Sequence, residues 1–110
     1  MEHAISLVLT TFPADKDADA FARTLVDERL AACVNVLPVM RSIYSWQGAT
    51  ERAEERQLVI KTSTDRLRDL ERRIHELHPY EVPEFIALPV ETAAPGYRSW
   101  IFESTRCART

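Results

Sequence analysis

The sequence predicts an α+β fold: a ferredoxin-like βαββαβ sandwich with a long middle hairpin and a C-terminal helix. Three observations carry this expectation. Segments with strand-like and helix-like apolar spacing follow one another as strand, helix, strand, strand, helix, strand, then a terminal helix. A glycine, Gly48, interrupts a long β-rich stretch just after Trp46-Gln47, which marks a hairpin turn. Finally, the first strand is apolar on both faces and the hairpin is aromatic. Helices on one side of the sheet would therefore leave an apolar face bare, and self-association is the simplest way to cover it.

Ala4 to Thr11 (AISLVLTT) reads as the first strand, with Ile5, Leu7 and Leu9 pointing one way and Ala4 and Val8 the other. Phe12-Pro13 ends it. Asp15 to Leu30 reads as a helix: Ala18, Phe21, Ala22, Leu25 and Arg29 fall at helical spacing, and Asp15, Asp17 and Asp19 place negative charge at the helix start. Ala31 to Trp46 is rich in β-formers, and Pro38 within it marks an edge or a bulge. The turn spans Gln47 to Thr50, and the return strand runs from about Glu54 to Thr62 with Leu58 and Ile60 on one face and Val59 on the other. Ser63-Thr64-Asp65 opens a second helix whose core stripe is Leu67, Leu70, Ile74 and Leu77. His78-Pro79 stops it. Phe85 to Val90 is a short apolar strand, and Pro95-Gly96-Tyr97 opens the last helix with Tyr97, Trp100 and Ile101 on one side.

The chain's 110 residues suit one domain, 1–110, with a single core. No apolar run approaches the roughly 18 residues that span a bilayer, and Met1-Glu2-His3 lacks the basic-then-apolar pattern of a secretion signal. A membrane partner is not expected. The net charge of -3 argues against nucleic acid as the main partner. Arg66, Arg68, Arg72 and Arg73 cluster, but Asp65, Asp69, Glu71 and Glu76 are interleaved, which describes a solvated, salt-bridged helix face. The two cysteines, Cys33 and Cys107, have no CxxC spacing, so reduced thiols in a cytoplasmic protein are expected. No Gly-rich phosphate loop, HExxH, GxSxG or CxxC is present, and no nucleophile–base pair is recognisable by spacing, so the expectation is a protein that is not an enzyme.

Four segments occur in order: LVDERLAACVNVLPV (Leu25 to Val39), SIYSWQG (Ser42 to Gly48), LVIKT (Leu58 to Thr62) and HPYEVPEFIALPV (His78 to Val90). Together they resemble the CutA family, the divalent-cation tolerance proteins, over about residues 4 to 103. The resemblance implies a tightly packed homotrimer with the second and third strands extending across subunit boundaries. It also implies a role in tolerance to copper and other divalent metals, with some relatives linked to electron-transfer protein biogenesis or to protein anchoring. Further, it implies that the positions of Trp46, Lys61, Tyr80 and Glu81 gather near an inter-subunit cleft. Members credited with copper binding carry a second histidine just before His78 and a cysteine on the first strand, where this chain has Leu77 and Thr10.

His78 is the metal-ligand candidate, since imidazole suits copper and zinc; the competing reading is a helix-stop histidine that bonds backbone carbonyls. With Thr10 and Leu77 in place of two ligands, binding of copper or another divalent metal is expected to be weak. Cys33 sits in AACVN, where small apolar neighbours predict a buried, inert thiol. Glu81 and Glu84 can hold a hard cation or do acid–base work, or satisfy backbone amides. Lys61 can pair with an anion or simply snorkel. Tyr44, Trp46, Tyr80 and Trp100 can line a ligand cleft or pack between subunits. Two readings follow: a divalent-metal response trimer, and a trimer that holds a small effector or a partner protein as ferredoxin-like signalling regulators do.

Overall fold

A computed structural model describes residues 4–106. The sequence expectations for Met1-Glu2-His3 and for Cys107 lie outside these residues. Four strands form one antiparallel sheet in the order β2-β3-β1-β4, with β1 at Ile5–Pro13, β2 at Cys33–Trp46, β3 at Ala49–Ser63 and β4 at Ile86–Pro89. Helices α1 (Ala18–Asp27) and α2 (Leu67–Leu77) and the terminal helix α3 (Pro95–Thr105) complete the order that the sequence predicts.

Alternation on the strands explains the core. Val8 and Phe12 of β1 and Leu58 and Ile60 of β3 face α1 and α2, where they meet Phe21 and Leu25, and Leu70 and Ile74. The four residues Leu25, Leu58, Leu70 and Ile74 are fully buried, as the apolar stripes require. Their neighbours in sequence point the other way. Strand register places Leu7 opposite Leu88 and Lys61, and Leu9 opposite Ile86 and Val59, so these six share the face away from α1 and α2.

The third helix corrects the one-sided picture. Ile101 of α3 packs with Ile5 and Ala32 at one end of that second face, so α3 covers part of it. The rest stays open: Ile86 is 49% and Leu88 44% exposed. Tyr97 and Trp100, expected beside Ile101 on one side of α3, remain exposed, while only Ile101 is buried.

Element ends also differ from the sequence reading, for local reasons. Helix α1 starts at Ala18 because the Asp17 carboxylate accepts from the Ala20 N–H at 3.0 Å, a side-chain cap. It stops at Asp27 rather than Leu30. There Arg29 has φ 63°, its N–H donates to Val26 O, and Leu30 N–H donates to Leu25 O. That is a Schellman termination with arginine in the left-handed position usually held by glycine. In β2 the register shifts between Val36 and Val39, a bulge at Leu37-Pro38 where the proline was expected to break the pairing. The hairpin is tighter than expected. Trp46 pairs with Ala49, and the two turn residues Gln47 and Gly48 have φ of 52° and 82°, as a type I′ turn demands. Strand β3 therefore starts at Ala49, well before the Glu54 that the sequence suggested. Its first part, Ala49 to Glu54, has only β2 as a neighbour, and the hairpin overhangs the rest of the sheet.

Candidate ligand cleft

The corner that the sequence marks as HPYEVPE connects α2 to β4 with no regular structure between His78 and Phe85. Pro79 and Pro83 deny it both helix and ladder. His78 caps α2, its N–H donating to Ile74 O. Its ring turns inward, 8% exposed, against Phe12 and Phe21 at centroid distances of 5.1 and 5.9 Å.

Both ring nitrogens are engaged. Nδ1 accepts from the Tyr80 backbone N–H at 3.1 Å, so the proton sits on Nε2, which donates to Thr11 O at 2.6 Å. Burial holds the imidazole below its ordinary pKa, against the opposing pull of the Thr11 carbonyl and the Glu55 carboxylate. The neutral tautomer thus ties the corner to β1.

Tyr80 carries the network onward. Its hydroxyl donates to Glu55 Oε2 at 2.6 Å, and burial and that carboxylate together raise its pKa. Glu55 is only 6% exposed. Beside it Gln57 Nε2 donates to Thr10 O at 2.8 Å and to Glu84 Oε2 at 3.2 Å, tying the far end of the corner to β3. A cleft of about 640 Å³ opens in front of this network. Its walls are the corner from Pro79 to Glu84, Glu55 and Gln57 of β3, and the overhanging hairpin with Tyr44 and Trp46.

The structure divides the residues named from sequence into three places. Trp46, Tyr80, Glu81 and Glu84 line the cleft. His78 lies behind its wall. Lys61 and Cys33 face each other across β3 and β2 at the other end of the open face. There the Lys61 ammonium stands 5.8 Å from the Tyr97 ring centroid and borders a smaller hollow of about 300 Å³ beneath α3. Cys33 is half-buried rather than buried, because its side chain is on the open face and not the helix face.

Glu55 and Gln57 were not singled out by sequence. They sit in the polar run TERAEERQ of the return strand, Thr50 to Gln57, which looks solvated. Counting back by twos from Val59 would have put both on the open face.

A resident metal does not fit these residues. Among the described residues no three His, Cys, Asp or Glu side chains stand close enough to share one ion. His78 would have to give up a buried hydrogen bond to bind one. Thr10 is wholly buried on the helix face, and its hydroxyl has no hydrogen-bond partner among the described residues.

Fold and cleft together define a class: a small ferredoxin-like α+β protein with a ligand-sized cleft beside an open apolar sheet face. Over residues 6–104 the chain matches the sequence profile of the family described as CutA1 divalent ion tolerance protein. It is 44% identical over 99 residues to the divalent-cation tolerance protein CutA of Thermus thermophilus, covering 90% of this chain and 96% of that one. It is 42% identical over 102 residues to the Protein CutA of Mus musculus, covering 93% of this chain and 58% of that one. The solved structure of the Thermus thermophilus protein aligns with a TM-score of 0.88 at 44% identity, over 92% of this chain and 98% of that one. The chain belongs to the CutA1 family. Relatives are named for different compartments: one from Arabidopsis thaliana is called chloroplastic and one from Archaeoglobus fulgidus periplasmic. Among the described residues no helix is long and apolar enough to cross a membrane.

Proposed function

We propose that this protein acts as a homotrimer in the response to divalent metal ions, without turning over a substrate and without a metal site built by one chain. The family membership supports the metal response. The open sheet face supports the trimer: Leu7, Leu9, Val59, Ile86 and Leu88 form a continuous apolar surface, and burying such a surface favours association by about 25 cal/mol per Å². The overhanging hairpin supplies an arm to reach a neighbouring copy. Cys33 faces a lysine and not an imidazole, so among the described residues it has no base of the kind that would support an enzymatic reading. We place the trimer in the cytoplasm, where Cys33 stays a free thiol.

Calorimetric titration of the assembled protein with copper and zinc tests the metal part. Wild type and His78→Ala should bind equally and weakly, through exposed carboxylates. Tight stoichiometric binding that disappears in His78→Ala would overturn the reading. A strain lacking the gene should regain copper tolerance with wild type, and not with a Leu88→Glu variant that cannot assemble.

A second reading has its own observation, the 640 Å³ cleft. A cavity of that size beside a hydrogen-bonded wall suits a small effector or a partner's side chain.

A further inference from the structure

The hydrogen bonds of the HPYEVPE corner run in series from β1 to the cleft wall. His78 Nε2 donates to Thr11 O at 2.6 Å, His78 Nδ1 accepts from the Tyr80 backbone N–H at 3.1 Å, and the Tyr80 hydroxyl donates to Glu55 Oε2 at 2.6 Å. The imidazole and phenol rings also touch, with centroids 4.8 Å apart. The middle bond differs from the other two. It alone needs an imidazole nitrogen that keeps its lone pair.

A proton added at Nδ1 turns that acceptor into a second donor. Two N–H groups would then face each other across 3.1 Å, and a bond becomes a repulsive contact. The ring has little room to turn away. It is wedged against Phe12 and Phe21, and Nε2 stays bonded to Thr11 O. The Tyr80 backbone is the side that can yield, because the corner from His78 to Phe85 belongs to no helix or ladder. Moving that backbone carries the phenol with it, and the phenol ends on Glu55.

The groups around the ring set the direction of the response. From β3 the Glu55 carboxylate favours the imidazolium, and from α2 His75 opposes it. The contacts from β1 and α1 are the Thr11 carbonyl and the Phe12 and Phe21 rings. Burial outweighs the rest and keeps the ring neutral near neutral pH. All these groups belong to one chain, and the ring packs into the helix-face core. A neighbouring copy on the open sheet face therefore leaves the bond at Nδ1 intact.

We propose that this corner is an acid-operated latch: a solvent proton taken up at His78 Nδ1 frees the Tyr80 backbone, withdraws the Tyr80 hydroxyl from Glu55 and reshapes the cleft wall. The metal response proposed above does not depend on it.

Nuclear magnetic resonance of the assembled protein between about pH 7.5 and 5 tests the latch. The His78 ring signals should titrate below the ordinary 6.5. Over the same range the Tyr80 amide should lose at least about tenfold in protection from hydrogen exchange, after correction for the intrinsic rate. The Trp46 indole signal, which reports the cleft, should shift with the same midpoint. His78→Asn places a carbonyl oxygen near the Nδ1 position and cannot titrate, so its Tyr80 amide should stay protected in acid. Tyr80→Phe keeps the bond at Nδ1 but loses the link to Glu55. The amide at position 80 should then still respond to acid while the Trp46 signal does not. A His78 ring that titrates while the Tyr80 amide stays protected would overturn the proposal. So would a ring that stays neutral until the protein unfolds, or a Trp46 response that survives in Tyr80→Phe.

Discussion

At the scale of single residues, the hydrogen bonds decide what the side chains do. His78 was legible as a helix stop, because the residue before a proline is pushed out of the helical region. Its tautomer was not legible, since that depends on Thr11, 67 residues away in sequence. The tautomer has a consequence for stability. The folded pKa lies below the ordinary 6.5 because burial disfavours the cation. On acidification the unfolded chain therefore binds a proton before the folded one does. His78's contribution is complete above about pH 6.5 and is lost as pH falls below that value towards the folded pKa. Denaturant midpoints at pH 7.5 and 5.5, at fixed protein concentration, should show a fall for wild type and a smaller fall for His78→Gln. Equal falls would remove His78 from the account. Thr10 makes a second point at this scale. Its hydroxyl is buried without a partner among the described residues, so Thr10→Val should raise stability by about 1 kcal/mol in the same denaturation assay.

At the scale of elements, existence was legible and ends were not. The stripes of Leu70 and Ile74, and of Phe21 and Leu25, required helices that face one core, and both formed. The end of α1 escaped the sequence because its left-handed residue is Arg29, which carries none of glycine's signal. The same fact yields a prediction. Arg29→Gly should stabilise the fold by roughly 0.5–1 kcal/mol, by relieving a Cβ held at φ 63°. Thermal unfolding would read the gain, and a loss would mean that the Arg29 side chain contributes more than its backbone costs. The hairpin shows the opposite case. Gly48 announced the turn, and the turn type then fixed the register of every pair back to Val39. What the glycine could not announce was how far the two strands run beyond the sheet. That overhang makes the outer wall of the cleft, so the cleft too was only partly legible. Trp46, Tyr80, Glu81 and Glu84 were named, whereas Glu55 was hidden in a charged run; within one chain Lys61 and Cys33 lie at the opposite end of the same face.

At the scale of the whole molecule, the sheet has one finished face and one unfinished face. The finished face buries Val8, Leu58 and Ile60 completely under α1 and α2. On the other, α3 shields Ile5 and leaves Ile86 and Leu88 nearly half exposed. Apolar alternation on both sides of β1 was enough to anticipate this, because a strand with two apolar faces cannot be satisfied by one layer of helices. The same surface makes self-association the central claim, and the metal response is set in the assembled state.

Sedimentation equilibrium at micromolar concentration tests that claim most directly. Wild type should sediment at close to three times the chain mass of 12.6 kDa, and Leu88→Glu, on the open face, should shift it towards a single chain while circular dichroism stays unchanged. A wild-type protein that sediments as one chain at that concentration would contradict the account.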